Sequence, residues 1–127
     1  MMFPFNSHQG LILVDGMVEG PSGRSTLLFA LDSGATQTLV SARLLTALGY
    51  DLTQATSHAQ LATANGVIRV PRLPVSRLTV LGQDRFGFLV AAHNLPALST
   101  LDGLVGLDFL RGQTLKIDFR TGLIDLT

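Results

Sequence analysis

Short apolar runs, each cut off by glycine, proline, asparagine or aspartate, recur along the chain and predict an all-β barrel or sandwich. Residues 10–20 (GLILVDGMVEG) and 25–31 (STLLFAL) read as two strands around the loop GPSG, and 36–40 (TQTLV) as a further short strand. The segment SARLLTALGY then changes period. Ser41 suits a helix N-cap, Leu44, Leu45 and Leu48 form an apolar face, and Gly49 can stop the helix. Residues 59–73 (AQLATANGVIRVPRL) hold Asn65-Gly66 between two extended runs. That pair predicts a type I′ hairpin turn with positive φ at both residues, on a hairpin whose small and polar flanks keep it proud of the core. Two more strands are expected within 76–92, around Gly82-Gln83-Asp84. After a loop with Pro96 comes an apolar segment broken by two glycines (101–111), and 115–119 with 123–127 form a last hairpin around Arg120-Thr121-Gly122. The expected architecture is a single mostly β domain over residues 1–127, with one or two short helices.

Composition narrows what such a domain does. The chain is 46% hydrophobic and 14% charged, against roughly 25% charged in an ordinary globular domain, which hints at surface covered in an oligomer. Nine basic and nine acidic residues cancel, so no long-range field for nucleic acid or an anionic membrane is expected. Arg69, Arg72, Arg77 and Arg85 fall close together in sequence and read as solvated strand positions, with a preference for acidic ligands as the weaker alternative. With no cysteine, disulfides, thiolate catalysis and Cys-based metal sites are excluded. The apolar run FGFLVAA (86–92) is far too short to span a membrane. The start MMFPFNSHQG has neither the basic residues nor the long apolar stretch of a secretory signal. The expected compartment is the cytoplasm, with a membrane-anchored or exported parent protein as the alternative.

The stretch LLFALDSGATQTLVS (27–41) carries the candidate chemistry, because an apolar run there ends on a carboxylate. Asp32-Ser33-Gly34 is good turn material in itself: Asp and Ser bond nearby backbone, and Gly tolerates positive φ. Yet apolar residues flank it on both sides, which places Asp32 at the edge of the core, where a carboxylate is partly desolvated. Ser33 and Gly34 add a hydroxyl and an unhindered backbone beside the acid. Late in the chain, Leu104-Val105-Gly106 sets a glycine in a buried-looking run, a mark of close backbone approach. Two carboxylates about 3 Å apart can share a proton and activate a water. Only one Asp-Ser/Thr-Gly is present, so the partner acid would be Asp32 of a second copy on a two-fold axis.

Together these residues resemble the retropepsin-like aspartic proteases. LLFALDSGATQTLV is similar to the family's active-site signature, and DGLVGLDFLRGQTLKIDFRTGLIDL (102–126) to its second one. The Gly-Leu-Asp-Phe-Leu-Arg form is more similar to the protease domain of DNA-damage-inducible ubiquitin-shuttle proteins and to bacterial homologues than to retroviral enzymes. The resemblance covers about residues 10–126 and implies a retropepsin-like closed barrel with a flap hairpin. It implies Asp32 as the catalytic aspartate, Ser33 as the hydroxyl that bonds across the dimer, Gly34 as a carbonyl for the substrate backbone, and Ala35 as a pocket wall. Leu104, Val105 and Gly106 would pack around the active-site loop. Ala62, Thr63, Ala64, Asn65, Gly66, Val67 and Ile68 would form the flap over an extended peptide, docked by strand-like hydrogen bonding. Thr36 and Gln37 replace two acids of the viral pattern, and Leu107-Asp108 stands where it has an arginine, so the viral intra-site ion pair is not expected.

The remaining polar residues have plain readings. Asp108 starts a short helix and meets its dipole, a structural reading favoured over a catalytic role; Asp102 belongs to a turn, near or away from a cleft. Asp118 and Asp125 are expected to face solvent. His8, His58 and His93 show no metal-ligand spacing and read as surface or loop residues. The leading expectation is a homodimeric aspartic endopeptidase acting on extended peptide or protein substrates, with no cofactor or metal. A module of the same fold that binds peptides or dimerises without useful turnover is the alternative.

Overall fold

The computed structural model of the chain describes residues 1–96 and 99–127. The first hairpin forms as its pattern predicts. Strand β2 (Leu13–Gly20) pairs antiparallel with β3 (Gly23–Leu31), with Gly20 opposite Gly23 and Pro21-Ser22 as the turn. Val14, Gly16 and Val18 of β2 and Leu27 and Phe29 of β3 face the core. Gly16 is a packing requirement: a Cβ there would lie 2.6 Å from the Phe29 ring.

The strand expected at 36–40 is shortened to β4 (Leu39–Val40). Its first residues leave the ladder because the Thr38 amide donates to both Asp108 carboxylate oxygens, at 2.9 and 3.0 Å. Helix α1 (Ala42–Ala47) follows, burying Leu45, with Leu48 buried just beyond it and Gly49 at φ +96 closing the turn. Ser41 sits at the N-cap, but its side chain does not cap. Asn94 accepts from the Arg43 amide at 3.0 Å and from the Ser41 hydroxyl at 3.2 Å, so the cap comes from a distant loop.

Strands β5 (Ser57–Thr63), β6 (Gly66–Val80) and β7 (Gln83–Ala92) form a meander whose two turns both depart from their expected registers. Thr63 lies opposite Gly66, so Ala64-Asn65 are the central residues of the first turn, and of Asn65 and Gly66 only Gly66 has positive φ (113). The Thr63 hydroxyl fixes that register: it donates to the Gly66 carbonyl at 2.8 Å and accepts the Asn65 amide at 3.3 Å. The second turn is centred on Leu81-Gly82 rather than Gly82–Asp84, with φ of 51 and 73. Positive φ at both central residues is what a type I′ turn requires, and burial of the Leu81 side chain holds a residue that would not choose it.

Strand β8 (Gly103–Val105) runs parallel to β3 and leads into α2 (Leu107–Leu110). The ring β2-β3-β8-β4-β7-β6 closes on itself where Gly16–Glu19 pair with Arg77–Val80, giving a six-stranded barrel. Phe29, Val40, Leu45, Val75, Leu78, Val90 and Val105 fill it. The last hairpin, β9 (Leu115–Asp118) and β10 (Leu123–Leu126), is joined by β1 (Met2–Pro4), an N-terminal strand the pattern did not predict. Asp118 is not simply solvent-facing: it accepts the Thr121 and Arg120 amides, which hold its carboxyl below the usual carboxylate range. Asp125 contacts the N-terminal amino group at 3.2 Å. Among the described residues no helix is long and apolar enough to cross a membrane.

Candidate active site

Parallel pairing of β3 with β8 carries the chain out of the barrel floor at Asp32. Leu31 lies opposite Val105, and the Asp32 amide donates to the Val105 carbonyl at 2.9 Å. The turn then closes on the acid itself: Asp32 Oδ1 accepts the Gly34 amide at 2.9 Å, and the Asp32 carbonyl accepts the Ala35 amide at 3.1 Å. The apolar run is therefore the buried strand that aims the carboxylate, and the turn chemistry orients it. Asp32 is half-buried, while Ser33 and Gly34 are exposed.

A second layer fixes this loop from below. The Leu107 amide donates to the Ala35 carbonyl at 2.9 Å. The Asp108 carboxylate accepts the Thr38 hydroxyl at 2.7 Å and the Phe109 amide at 2.9 Å, besides the Thr38 amide. The fully buried Thr38 hydroxyl oxygen in turn accepts the Gly106 amide at 3.2 Å. Gly106 has no room for a side chain, since a Cβ would sit 2.6 Å from the Gln37 carbonyl carbon and 3.0 Å from the Ala35 oxygen. Asp102 is also structural. Its carboxylate accepts the Leu28 amide at 2.8 Å, its own amide donates to the Leu28 carbonyl, and its carbonyl accepts the Ser41 amide.

Above the loop lies a cleft of about 730 Å³. Asp32, Gly34, Ala35, Thr36 and Gln37 form its floor, and Gln60–Asn65 of the β5–β6 hairpin its roof. His93–Pro96 and the apolar Leu39 and Leu104 complete the walls. The cleft thus joins Asp32, Gly34, Ala35 and Leu104 to Ala62, Thr63, Ala64 and Asn65. It leaves out Ser33, which is exposed, and Gly66, Val67 and Ile68, which lie on the returning strand opposite Thr63, Ala62 and Leu61. Val105 and Gly106 are buried beneath the loop.

Sequence reasoning missed the 93–96 wall. His93 looked like a scattered surface histidine, yet it is half-buried and lines the cleft, its amide bonded to the Val40 carbonyl at 3.1 Å. Pro96 was the one signal of a shaped loop there; Ala97 and Leu98 of the same loop lie outside the described residues. Among the described lining residues Asp32 is the sole carboxylate and no lysine or arginine is present. Gln37 buries its side-chain carbonyl oxygen without a hydrogen-bond partner. Among the described residues no cluster of three or more His, Cys, Asp or Glu is placed to hold a metal ion.

A sequence model of the family described as "gag-polyprotein putative aspartyl protease" matches residues 14–112, from β2 through the end of α2. No curated protein matches the chain. Among solved structures, a retropepsin-like aspartic protease from Rickettsia conorii matches with a TM-score of 0.70 at 21% identity, over 99% of this chain and 88% of that one. At that identity the likeness speaks for the fold, a mostly stranded closed barrel. The family match spans the Asp32 signature, the β5–β6 hairpin and the first part of the second signature, 102–112, and the chain belongs to this retropepsin-like aspartyl protease family.

Proposed function

We propose that residues 1–127 form a single protease domain that works as a homodimer and hydrolyses peptide bonds between two Asp32 carboxylates. One observation carries the reading: a cleft with a hairpin roof and an apolar lining holds one oriented carboxylate and no second acid among its described residues. A lone carboxylate does not share a proton. A second copy related by a two-fold axis through the Asp32 loops would supply the other.

In that arrangement one Asp32 is ionised and the other protonated. The ionised carboxylate takes a proton from water as the oxygen attacks the peptide carbonyl, and the protonated one donates to the developing oxyanion. As the C–N bond breaks, the newly protonated acid gives its proton to the leaving nitrogen and the other recovers one from a hydroxyl of the gem-diol, which restores the pair. Ser33, exposed and without a hydrogen bond among the described residues, would bond across the dimer beneath the acids. Gly34 would offer its carbonyl, and residues 62–68 would cover the peptide. Because the pair must hold one proton, activity is expected to be favoured at mildly acidic pH.

A peptide-library digest read by mass spectrometry between about pH 4 and 7, comparing wild type with Asp32→Asn, tests this. New cleavage sites made by wild type alone support the reading. Equal silence from two folded proteins favours a peptide-binding module instead.

A further inference from the structure

The four arginines that cluster in sequence separate in space. Arg69 is exposed on the hairpin, and Arg77 pairs with Asp84 at 3.0 Å. Arg72 and Arg85 instead line one pocket of about 410 Å³, and Gln37, a floor residue of the main cleft, is also in its wall. Gln37 is thus the partition between the two spaces.

Both arginines are half-buried residues, and among the described residues neither forms an ion pair. They are held by neutral groups. Arg72 Nε and Nη2 donate to the Ser57 hydroxyl at 3.0 and 2.8 Å. Arg85 Nη2 donates to Gln83 Oε1 at 3.1 Å and to the Phe109 carbonyl at 3.4 Å, Nη1 to the Asp84 carbonyl at 3.2 Å, and the group lies 4.6 Å from the Phe109 ring centre. Cations fixed by neutral groups, in half-buried residues and with no ion pair among the described residues, are prepared for an anion. Asp108 lines the same pocket, but its oxygens are taken by Thr38 and the Phe109 amide. Two guanidinium groups and one carboxylate leave a net charge of one positive unit. Exposed Phe86 and Leu89 give the wall apolar surface for side-chain methylenes.

We propose that this pocket is an outer subsite of the peptide cleft, where Arg72 and Arg85 take the carboxylate of a glutamate or aspartate side chain. The proposal rests on the peptide-cleft reading above. An extended chain over the cleft floor turns alternate side chains the same way, advancing about 3.3 Å per residue, so a residue beyond Gln37 reaches the pocket. The main cleft, with no lysine or arginine among its described lining residues, lacks any such cation.

The test uses matched extended peptides that differ by Glu or Gln at one position, with that position scanned along the peptide. Cleavage is followed with wild type, and binding by fluorescence anisotropy with Asp32→Asn, which needs no turnover. At one outer position the Glu peptide should exceed its Gln twin by roughly three- to tenfold, and the ratio should shrink as salt rises. Arg72→Gln should bring that ratio close to one, while Arg72→Lys should keep part of it. Cleavage with no Glu preference at any position, or a preference untouched by Arg72→Gln, overturns the subsite. Binding with the Glu preference but no cleavage by wild type keeps the subsite and overturns the protease.

Discussion

At its inner end, Arg77–Val80, strand β6 is paired on both sides, to β2 and β7, and Leu78 and Val80 are buried. At its outer end it has β5 alone beside it, and Val67 is 67% exposed. The inner end can open only with the barrel. The outer end is a two-stranded ribbon, which has little stability of its own and can move while the barrel stays closed. One strand therefore runs from barrel scaffold into a separable ribbon, whose β5 side and turn roof the cleft.

Substitutions should separate these regimes. Leu78→Ala, in the doubly paired part, is expected to lower the unfolding free energy by about 2–5 kcal/mol in denaturant melts. A loss below about 1 kcal/mol would mean that the barrel does not depend on this end of β6. Next in size is Thr38→Val, which keeps the shape but removes the hydroxyl between Asp108 and the Gly106 amide. It should lower stability by about 1–3 kcal/mol, and peptide binding should fall with it, because the cleft floor rests on that cluster.

Gly66→Ala should show the opposite balance. A φ of 113 resists any side chain, yet a Cβ there meets nothing within 4 Å, so the effect is local to the hairpin. Global stability should change by about 1 kcal/mol or less, while amide exchange at residues 62–68 should quicken. Equal loss across the whole barrel would erase the distinction between the two ends.

Acid should act on the scaffold at its edges. The Thr79 hydroxyl and then Arg77 hold the Asp84 carboxyl below the ordinary carboxylate value, as the Thr121 and Arg120 amides do for Asp118. Folded groups with lowered values bind fewer protons than unfolded ones. Their contribution is therefore complete above the unfolded value near 3.8 and is lost as pH falls through the lower folded values. Melting temperatures should owe no change to these two acids between about pH 7 and 5 and should begin to drop below about pH 4. Asp84→Asn should flatten part of that drop.

The strands were legible because each apolar run is bounded by turn residues and buries one face, and the glycine of Leu104-Val105-Gly106 signalled the close approach found at Gln37. The Asp32 loop was legible for the same reason, since an apolar run ending on an acid has few uses. The turn registers were not. Asn65-Gly66 carries the stronger type I′ preference, but the Thr63 hydroxyl moved that turn by one residue, and packing of Leu81 placed the type I′ geometry elsewhere. Asn94 capping α1, the His93 wall and the Arg72–Arg85 pocket join residues far apart in sequence, which no local pattern reports.

The central claim is that two Asp32 side chains make one site, and mixing wild type with Asp32→Asn tests it most directly. With exchanging subunits, a mixed dimer keeps one carboxylate. Activity per wild-type protomer should then fall to about half at equal amounts and to about one tenth at a ninefold excess of variant. Activity per wild-type protomer that stays constant as variant is added, with subunit exchange verified, would contradict the claim.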